Sequence, residues 1–425
     1  MKTISPGLQN ILDKRHFFMA DLITITLTDG AILRYNNSDK PIRVTMPSDS
    51  DPVEPETNVY AQTITINHTL VVEDLTNFPV PVQISDSENS VFANALANGY
   101  DIYFTDVNGN VLDHERSVWD VTNHLAVFYV RVPALSSSED TVLYMYYGDS
   151  GQTADLQNAA GVWDENFRAV YHFEENPYTT INSPPVTGVL KDSTANGFDL
   201  SVAIKSGIAT FPAERLVDGV VGHGWEFAGD AVVQDDTADL FNSTKPAAVT
   251  VEGVLTCTDT AVRTGWFVLC QIATGIASME GALNCGEPYF DSTWGWWVWW
   301  EPNVANGIVS GMQGAAYEVS AWTDDYDLAT ARHIAHVAVD GGVYSAYVDG
   351  AFIGDGYTTA NFNNTGSGEN SLYLAKALRV NDDNLTGVLS EVRISDIARS
   401  AAWLQTTYNS LHQQSTFVTV TENAA

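Results

Sequence analysis

The chain reads as an all-β protein, and three observations carry that reading. From residue 58 onward, short runs rich in Val, Ile, Thr, Tyr and Phe recur at close spacing, as in "QTITINHTLVVEDL", "HLAVFYVRVPAL" and "TVLYMYYGDS". Asn-Gly, Pro and Ser clusters separate these runs, which is turn chemistry. Helical signal is scarce. It is confined to "SPGLQNILDKR" near the start and "SDIARSAAWLQTTYNSLHQQ" near the end, with Ser395 as the expected N-cap of the second.

Composition sets the bounds. The 425 residues are enough for two or three domains with full cores, and 45 % apolar content is globular. Acidic residues number 53 against 19 basic, a formal net charge of -34. Such a field repels nucleic acid and anionic membrane surfaces. It reads either as plain solubility or as loops that hold Ca²⁺. The three cysteines, Cys257, Cys270 and Cys285, are an odd count without zinc-ligand spacing, and read as buried thiols. The N-terminus has no continuous apolar core with a cleavage site, so no signal peptide is expected, and no run reaches membrane-helix length.

Taken in order, residues 1–46 form a small unit. Ser5 caps a short helix with Pro6 at its first position. "DLITITLTDGAILRYN" then alternates around Asp29-Gly30, a hairpin signal. This unit is too small to bury a core alone, so Leu8, Ile11, Leu12, Phe17, Phe18 and Leu22 are expected to dock on another chain. Residues 47–57, acidic and Pro-rich, read as an extended linker. Residues 58–155 predict a compact antiparallel sandwich. Residues 156–425 follow the same grammar over a length that suits a larger one.

Within the larger sandwich, "DSTWGWWVWWEP" raises its own question. As a strand it puts Trp294, Trp296, Val298 and Trp300 on one face, and Gly295, Trp297, Trp299 and Glu301 on the other. Both faces are aromatic, so the strand lies covered on both sides or one face awaits a ligand. A sugar covering about 80 Å² of indole gains about 2 kcal/mol, useful only with many copies. Packing, as core plus interface, is the favoured reading, with sugar stacking the alternative.

Three stretches resemble known families. "NFPVPVQISD", "YDIYFTDVNGNVLDHERSVWD", "AVFYVRVPAL" and "LYMYYGDS" look like domain of unknown function 2341, which implies a fold class and no activity. "VYHFEE", "VDGVVGHGWEFAGD", "RHIAHVAVDGGVYSAYVDGAFIGDG" and "GVLSEVRISDIARSAAWLQTTYNS" resemble the concanavalin A-like lectin/laminin-G fold. That resemblance implies a large jelly-roll sandwich, often glycan-binding and often with Ca²⁺. "ISPGLQNILD" with "FFMADLITITLTDGAILRYNNSDKPI" resembles the start of certain phage tail proteins.

The candidate sites follow. Trp297 and Trp299, with Trp322 and Tyr326 from "WTDDYD", are the candidate sugar-stacking residues. Asp230, Asp235 and Asp236, with Asp382 and Asp383, are the candidate Ca²⁺ ligands; plain solvation is their other reading. The Glu-x-Asp-x-Glu strand of laminarinase-type hydrolases is absent, and Glu174 and Glu175 fall on opposite faces of a strand, which is wrong for a catalytic pair. Neither a Gly-x-Ser-x-Gly elbow nor a Walker loop occurs. His333 and His336 read as packing or hydrogen-bonding residues of a strand. The expected protein is a non-enzymatic phage virion component of the tail tip or baseplate. It would dock by residues 1–46 on other tail proteins, be present in several copies, and project a lectin-like module at host glycans. A purely structural packing subunit, or a glycan-degrading enzyme, are the alternatives.

The tryptophans are testable by parity. Trp294→Ala, Trp296→Ala and Trp300→Ala should each cost about 3 to 5 kcal/mol. Trp297→Ala and Trp299→Ala should melt near wild type and weaken binding to host cells or to a neighbouring subunit. Equal destabilisation by all five substitutions would make the segment simply core.

Overall fold

The computed structural model describes, side chains included, residues 60–176, 189–202, 216–227, 246–256, 329–337, 345–354 and 385–422, with shorter stretches and strand backbones between them. The chain divides into two compact units, Met1–Thr57 and Asn58–Ala425. In the first, β1 (Ile23–Thr26), β2 (Ile32–Tyr35) and β3 (Arg43–Thr45) form an antiparallel sheet in that order. The hairpin expected around Asp29-Gly30 is β1–β2, pairing Ile25 with Leu33. The helix expected before it lies outside the described residues.

The second unit opens with β4 (Tyr60–Ile66), β5 (Leu75–Ile84), β6 (Tyr103–Asp106), β7 (Val111–Leu112), β8 (His114–Asp120), β9 (Leu125–Leu135) and β10 (Thr141–Tyr147). The turn between β6 and β7 is the predicted Asn-Gly turn. Gly109 sits at φ 81, and Asp106 Oδ1 accepts the N–H groups of Asn108 and Asn110. There follow β11 (Phe167–Tyr171), β12 (Tyr178–Thr180), β13 (Val186–Thr187), β14 (Val189–Leu190), β15 (Leu200–Ile204), β16 (Leu216–Asp218), β17 (His223–Ala228) and β18 (Ala231–Asp235). Next come β19 (Ala248–Cys257), β20 (Gln271–Thr274), β21 (Gly295–Glu301), β22 (Gly307–Gln313), β23 (Arg332–Val339), β24 (Val343–Val348), β25 (Ala351–Tyr357), β26 (Asn370–Leu374) and β27 (Thr386–Ser395).

Sheets stack in layers. The large sandwich pairs an eight-stranded sheet, β16-β17-β27-β19-β23-β24-β25 with β11 also on β27, with a five-stranded one, β14-β15-β18-β26-β20. Tyr171, Trp225, Val251, Ile334, Leu389 and Ile394 from the first meet Leu190, Leu200, Leu372 and Leu374 from the second in one apolar core. The small sandwich has a three-stranded sheet, β5-β9-β8, facing a sheet that contains β4, β10, β6 and β7. Phe78, Phe104, Phe128 and Met145 lie in its core.

β9 and β27 are each buried on both faces over most of their length, because the three-stranded sheet also packs against the outer face of the eight-stranded one. Val254, Ala335 and Val337 of the large sandwich join the same apolar cluster as the small sandwich core. Prolines 79 and 81 sit on β5, the edge of its sheet, where a missing N–H breaks no ladder.

The end of the chain returns to the small sandwich. Helix Ala401–His412 is capped by Ser400, whose Oγ accepts the Trp403 N–H at 3.1 Å. The expected cap, Ser395, instead closes β27, and the helix begins five residues later than the pattern implied, after an irregular stretch over residues 396–399. Thr406 Oγ1 accepts the Val72 N–H, Asn409 Nδ2 donates to Leu70 O, and Gln414 Nε2 donates to Pro81 O. β28 (Val418–Glu422) then pairs with β4 and completes the outer sheet, β28-β4-β10-β6-β7. Residues 401–422 therefore pack on and extend the small sandwich, although they follow the large one in the chain.

Three histidines are held neutral by burial. It lowers His114 to about 4, helped by Arg116, His336 to about 3, and His412 to about 4, helped by His333. Unfolded, they titrate near 6.5, so the folded state binds fewer protons below that value. Stability should therefore fall as pH drops from about 6.5 towards 4, read as melting temperature against pH. A melting temperature flat down to pH 4 would contradict these burials.

Candidate functional site

The described residues bring their chemistry together between the two sandwiches. β27 carries Glu391 and Arg393 on the face opposite to Val392 and Ile394, so they point away from the large core and into the junction. β9 places Tyr129 against them, and β8 supplies Glu115. The chain leaves β11 through His172 and Phe173. Phe173 has φ 59, which is strained for a bulky residue; His172 turns to the junction while Phe173 enters the large core.

His172 lies between two carboxylates. Its Nδ1 donates to Glu391 Oε2 at 2.8 Å, and its Nε2 is 3.5 Å from Glu115 Oε2. Glu391 Oε2 also accepts the Tyr129 hydroxyl at 3.2 Å, while Oε1 accepts Arg393 Nε at 2.7 Å. Glu115 accepts Trp163 Nε1 at 2.8 Å and Ser193 Oγ at 2.6 Å. The His172 and Tyr129 rings stack at 4.1 Å, and the Arg393 guanidinium lies 5.2 Å from the Trp163 ring centroid and 5.8 Å from that of Tyr129. Behind this group Glu252 on β19 meets His333 Nε2 on β23 at 3.3 Å.

Burial opposes charge on His172, but Glu391 and Glu115 override it and raise the imidazole to about 10. Burial would likewise raise Glu391, yet His172 and Arg393 hold it below the usual range. The group is thus a set of paired ions with almost no exposure: Arg393, His172 and Glu391 are 1 %, 5 % and 4 % accessible as residues. No substrate reaches it, and its chemistry is to join sheets.

At the rim lies a second ion pair, itself largely buried. Arg399 donates Nη1 and Nη2 to the two carboxylate oxygens of Asp164, each at 3.1 Å. On the opposite side Glu174 accepts His223 Nδ1 at 2.6 Å, and Gln83 Oε1 accepts the Gly222 N–H at 2.8 Å. Glu175 has different partners from Glu174: its carboxylate accepts the Lys191 N–H.

A profile of the domain of unknown function DUF2341 matches residues 98–185. A profile of the concanavalin A-like lectin/glucanases superfamily matches residues 279–405. A DUF2341 segment is followed by a concanavalin A-like one. No curated protein matches the sequence. Among solved structures, domain 4 of AbnA, an extracellular arabinanase from Geobacillus stearothermophilus, aligns at 14 % identity and TM-score 0.38, over 56 % of this chain and 97 % of that one. The binding domain of Paraclostridial Mosquitocidal Protein 1 aligns at 12 % and 0.38, over 58 % and 52 %. Trypanosoma rangeli sialidase aligns at 13 % and 0.39, over 69 % and 42 %, so this chain spans less than half of that enzyme.

The residues singled out from sequence fall elsewhere. β21 is a strand, as expected. Its described partner is β22 in a two-stranded ladder, with Trp297 opposite Gly311 and Trp299 opposite Val309. The Trp297 and Trp299 side chains lie outside the described residues, as do Trp322 and Tyr326. Asp235 ends β18, and its side chain, like Asp230, Asp236, Asp382 and Asp383, is outside them too. So are Leu8, Ile11, Leu12, Phe17, Phe18, Leu22 and the three cysteine side chains. Among the described residues no group of three His, Cys, Asp or Glu is placed to hold a metal, and no helix is long and apolar enough to cross a membrane. The junction ions went unread in the sequence, although single charges inside apolar runs, in "GVLSEVRIS" and "AVTVEGVL", signal them.

Glu391→Gln should cost about 3 to 5 kcal/mol, since it removes the charge that Arg393 Nε bonds and one of the two carboxylates that hold His172. Urea unfolding measures it. In the wild type, His172's contribution is complete below about 6.5 and should be lost as pH rises through about 10. A cost for Glu391→Gln near that of a surface pair, under about 1 kcal/mol, would refute the junction's role.

Proposed function

We propose that the chain is a phage virion protein of the tail tip or baseplate whose lectin-like sandwich adheres to host surface glycans. The observation that carries this reading is the division of labour along the chain. Residues 1–57 form a unit of their own, while the DUF2341 sandwich and the concanavalin A-like sandwich form one body locked by buried ions. An adhesin needs that combination of a separate anchor and a stiff head. The acidic surface, net -34, keeps such a head off nucleic acid and anionic lipid, and favours uncharged ligands.

The anchor would be residues 1–46, docking on other tail proteins through Leu8, Ile11, Leu12, Phe17, Phe18 and Leu22. Synthesis in the host cytoplasm and assembly into a particle released by lysis require no secretion signal. Ca²⁺ at the acidic loops of Asp230, Asp235, Asp236, Asp382 and Asp383 is proposed on their composition alone. Weak single sites would act through many copies.

Deletion of residues 1–46 should leave the second unit folded and abolish incorporation into particles, measured by immunoblot of purified virions. Truncated protein found in particles would overturn the anchoring role. We further propose binding without cleavage. Incubation with host polysaccharide should release no new reducing ends, and a rate abolished by Glu174→Gln or Glu175→Gln would refute this.

A further inference from the structure

A cleft of about 380 Å³ opens at the rim of the junction, with walls from both sandwiches. Asp74 and Asn77 line it from the start of β5, Asp164 and Asn166 from the turn into β11, and Arg399 and Trp403 from the entry to the C-terminal helix. Its floor is rigid. Arg399 is held bidentately by Asp164, donates Nε to Ser395 Oγ, and lies between the rings of Phe167 and Trp403 at 4.2 and 4.4 Å. The guanidinium is therefore spent inside the protein and offers nothing to an anion.

What the cleft has to spare is amide and carboxylate. The side chains of Asn77 and Asn166 are half-buried; Asn77 makes no hydrogen bond to another described residue, and Asn166 bonds to Asp164 alone, which leaves most of its donor and acceptor capacity free, while Asp74 uses only Oδ1, which accepts the Ser137 N–H and hydroxyl. Asn77 is also held at φ 54, where the ladder between β5 and β9 skips from Thr76–Ala134 to Phe78–Val132. Asn tolerates that left-handed backbone, and its position opposite Pro133, which has no N–H, turns its amide out of the ladder and toward the cleft.

We propose that this cleft binds a neutral saccharide of one or two rings, with the Asn77 and Asn166 amides and Asp74 Oδ2 engaging neighbouring hydroxyls. An amide both donates and accepts and a carboxylate accepts, which matches the paired donor and acceptor character of sugar hydroxyls. The volume lies at the small end of ligand sites. Asp74, Asp164 and Glu165 outnumber Arg399 around it, so acidic sugars and phosphates are repelled. This deepens the proposed function, and rests on it for the source of the glycan.

The test is titration of the full chain with glucose, galactose, mannose, N-acetylglucosamine, lactose, maltose and cellobiose by calorimetry and saturation-transfer NMR, with glucuronate as the anionic probe. At least one neutral sugar should saturate a single site, and glucuronate should not. Asn77→Gly, which keeps the left-handed backbone, combined with Asn166→Ala should weaken binding at least tenfold at an unchanged melting temperature. If the double variant fails to fold, Asn166→Ala alone should still weaken it. No binding of any neutral sugar at tens of millimolar, or equal binding by the folded variants, overturns the cleft. Host-cell adhesion, run in parallel, separates the two readings. Variants that bind sugar as wild type does, and adhere equally, would overturn the cleft and leave the adhesin standing. Sugar binding lost in the variants, from a wild type that adheres to no host, would uphold the cleft and overturn the adhesin.

Discussion

The imidazolium of His172 held between Glu391 and Glu115 is the contact on which the second unit depends. Two apolar sheet faces can slide over one another at little cost, because apolar burial has no direction. A set of buried ions cannot, since any displacement leaves a charge without its counter-charge. Tyr129, Trp163, Ser193 and Arg393 each add one directed contact to the same carboxylates. The arrangement fixes where β27 lies over β9, and so makes one body of two sandwiches. It is a device for alignment more than for net stability, as expected of ions that lose their hydration on burial.

Other features reinforce that alignment from the sides. Gln83 reaches across to the turn at Gly222 on one flank, and the C-terminal helix bridges to Leu70 and Val72 on another. Arg399 closes the rim by stacking as well as by charge, a role for which lysine is no substitute.

Much of the fold was legible in the sequence for local reasons. Alternation, Asn-Gly at Asn108-Gly109 and Asp-Gly at Asp29-Gly30 mark strands and hairpins without tertiary help. The late helix was legible as an element, though not its cap: Ser395, expected to cap it, is the last residue of β27, and Ser400, the second serine of "SDIARS", does so instead. The return of β28 to β4 could not be read, because pairing partners far apart in sequence leave no local trace. The junction was missed for a different reason. Glu391 and Arg393 drew no reading of their own, whereas charges in a run with no polar face have to find buried partners. Attention went to the tryptophans, whose composition is conspicuous, while the amides of Asn77 and Asn166 carry no signal in composition at all.

The closure of the outer sheet by β28 has a consequence for synthesis. Gln62 and Glu422 are neighbours across 360 residues of chain. On the ribosome β4 emerges early, yet its second partner strand appears only after the whole large sandwich has been made. Throughout that interval one edge of β4 is an open ladder, the kind of surface that recruits strands from other nascent chains. The alternation of threonines along β4, Thr63 and Thr65, with no charge to guard that edge, puts a premium on rapid closure once the last strand is released.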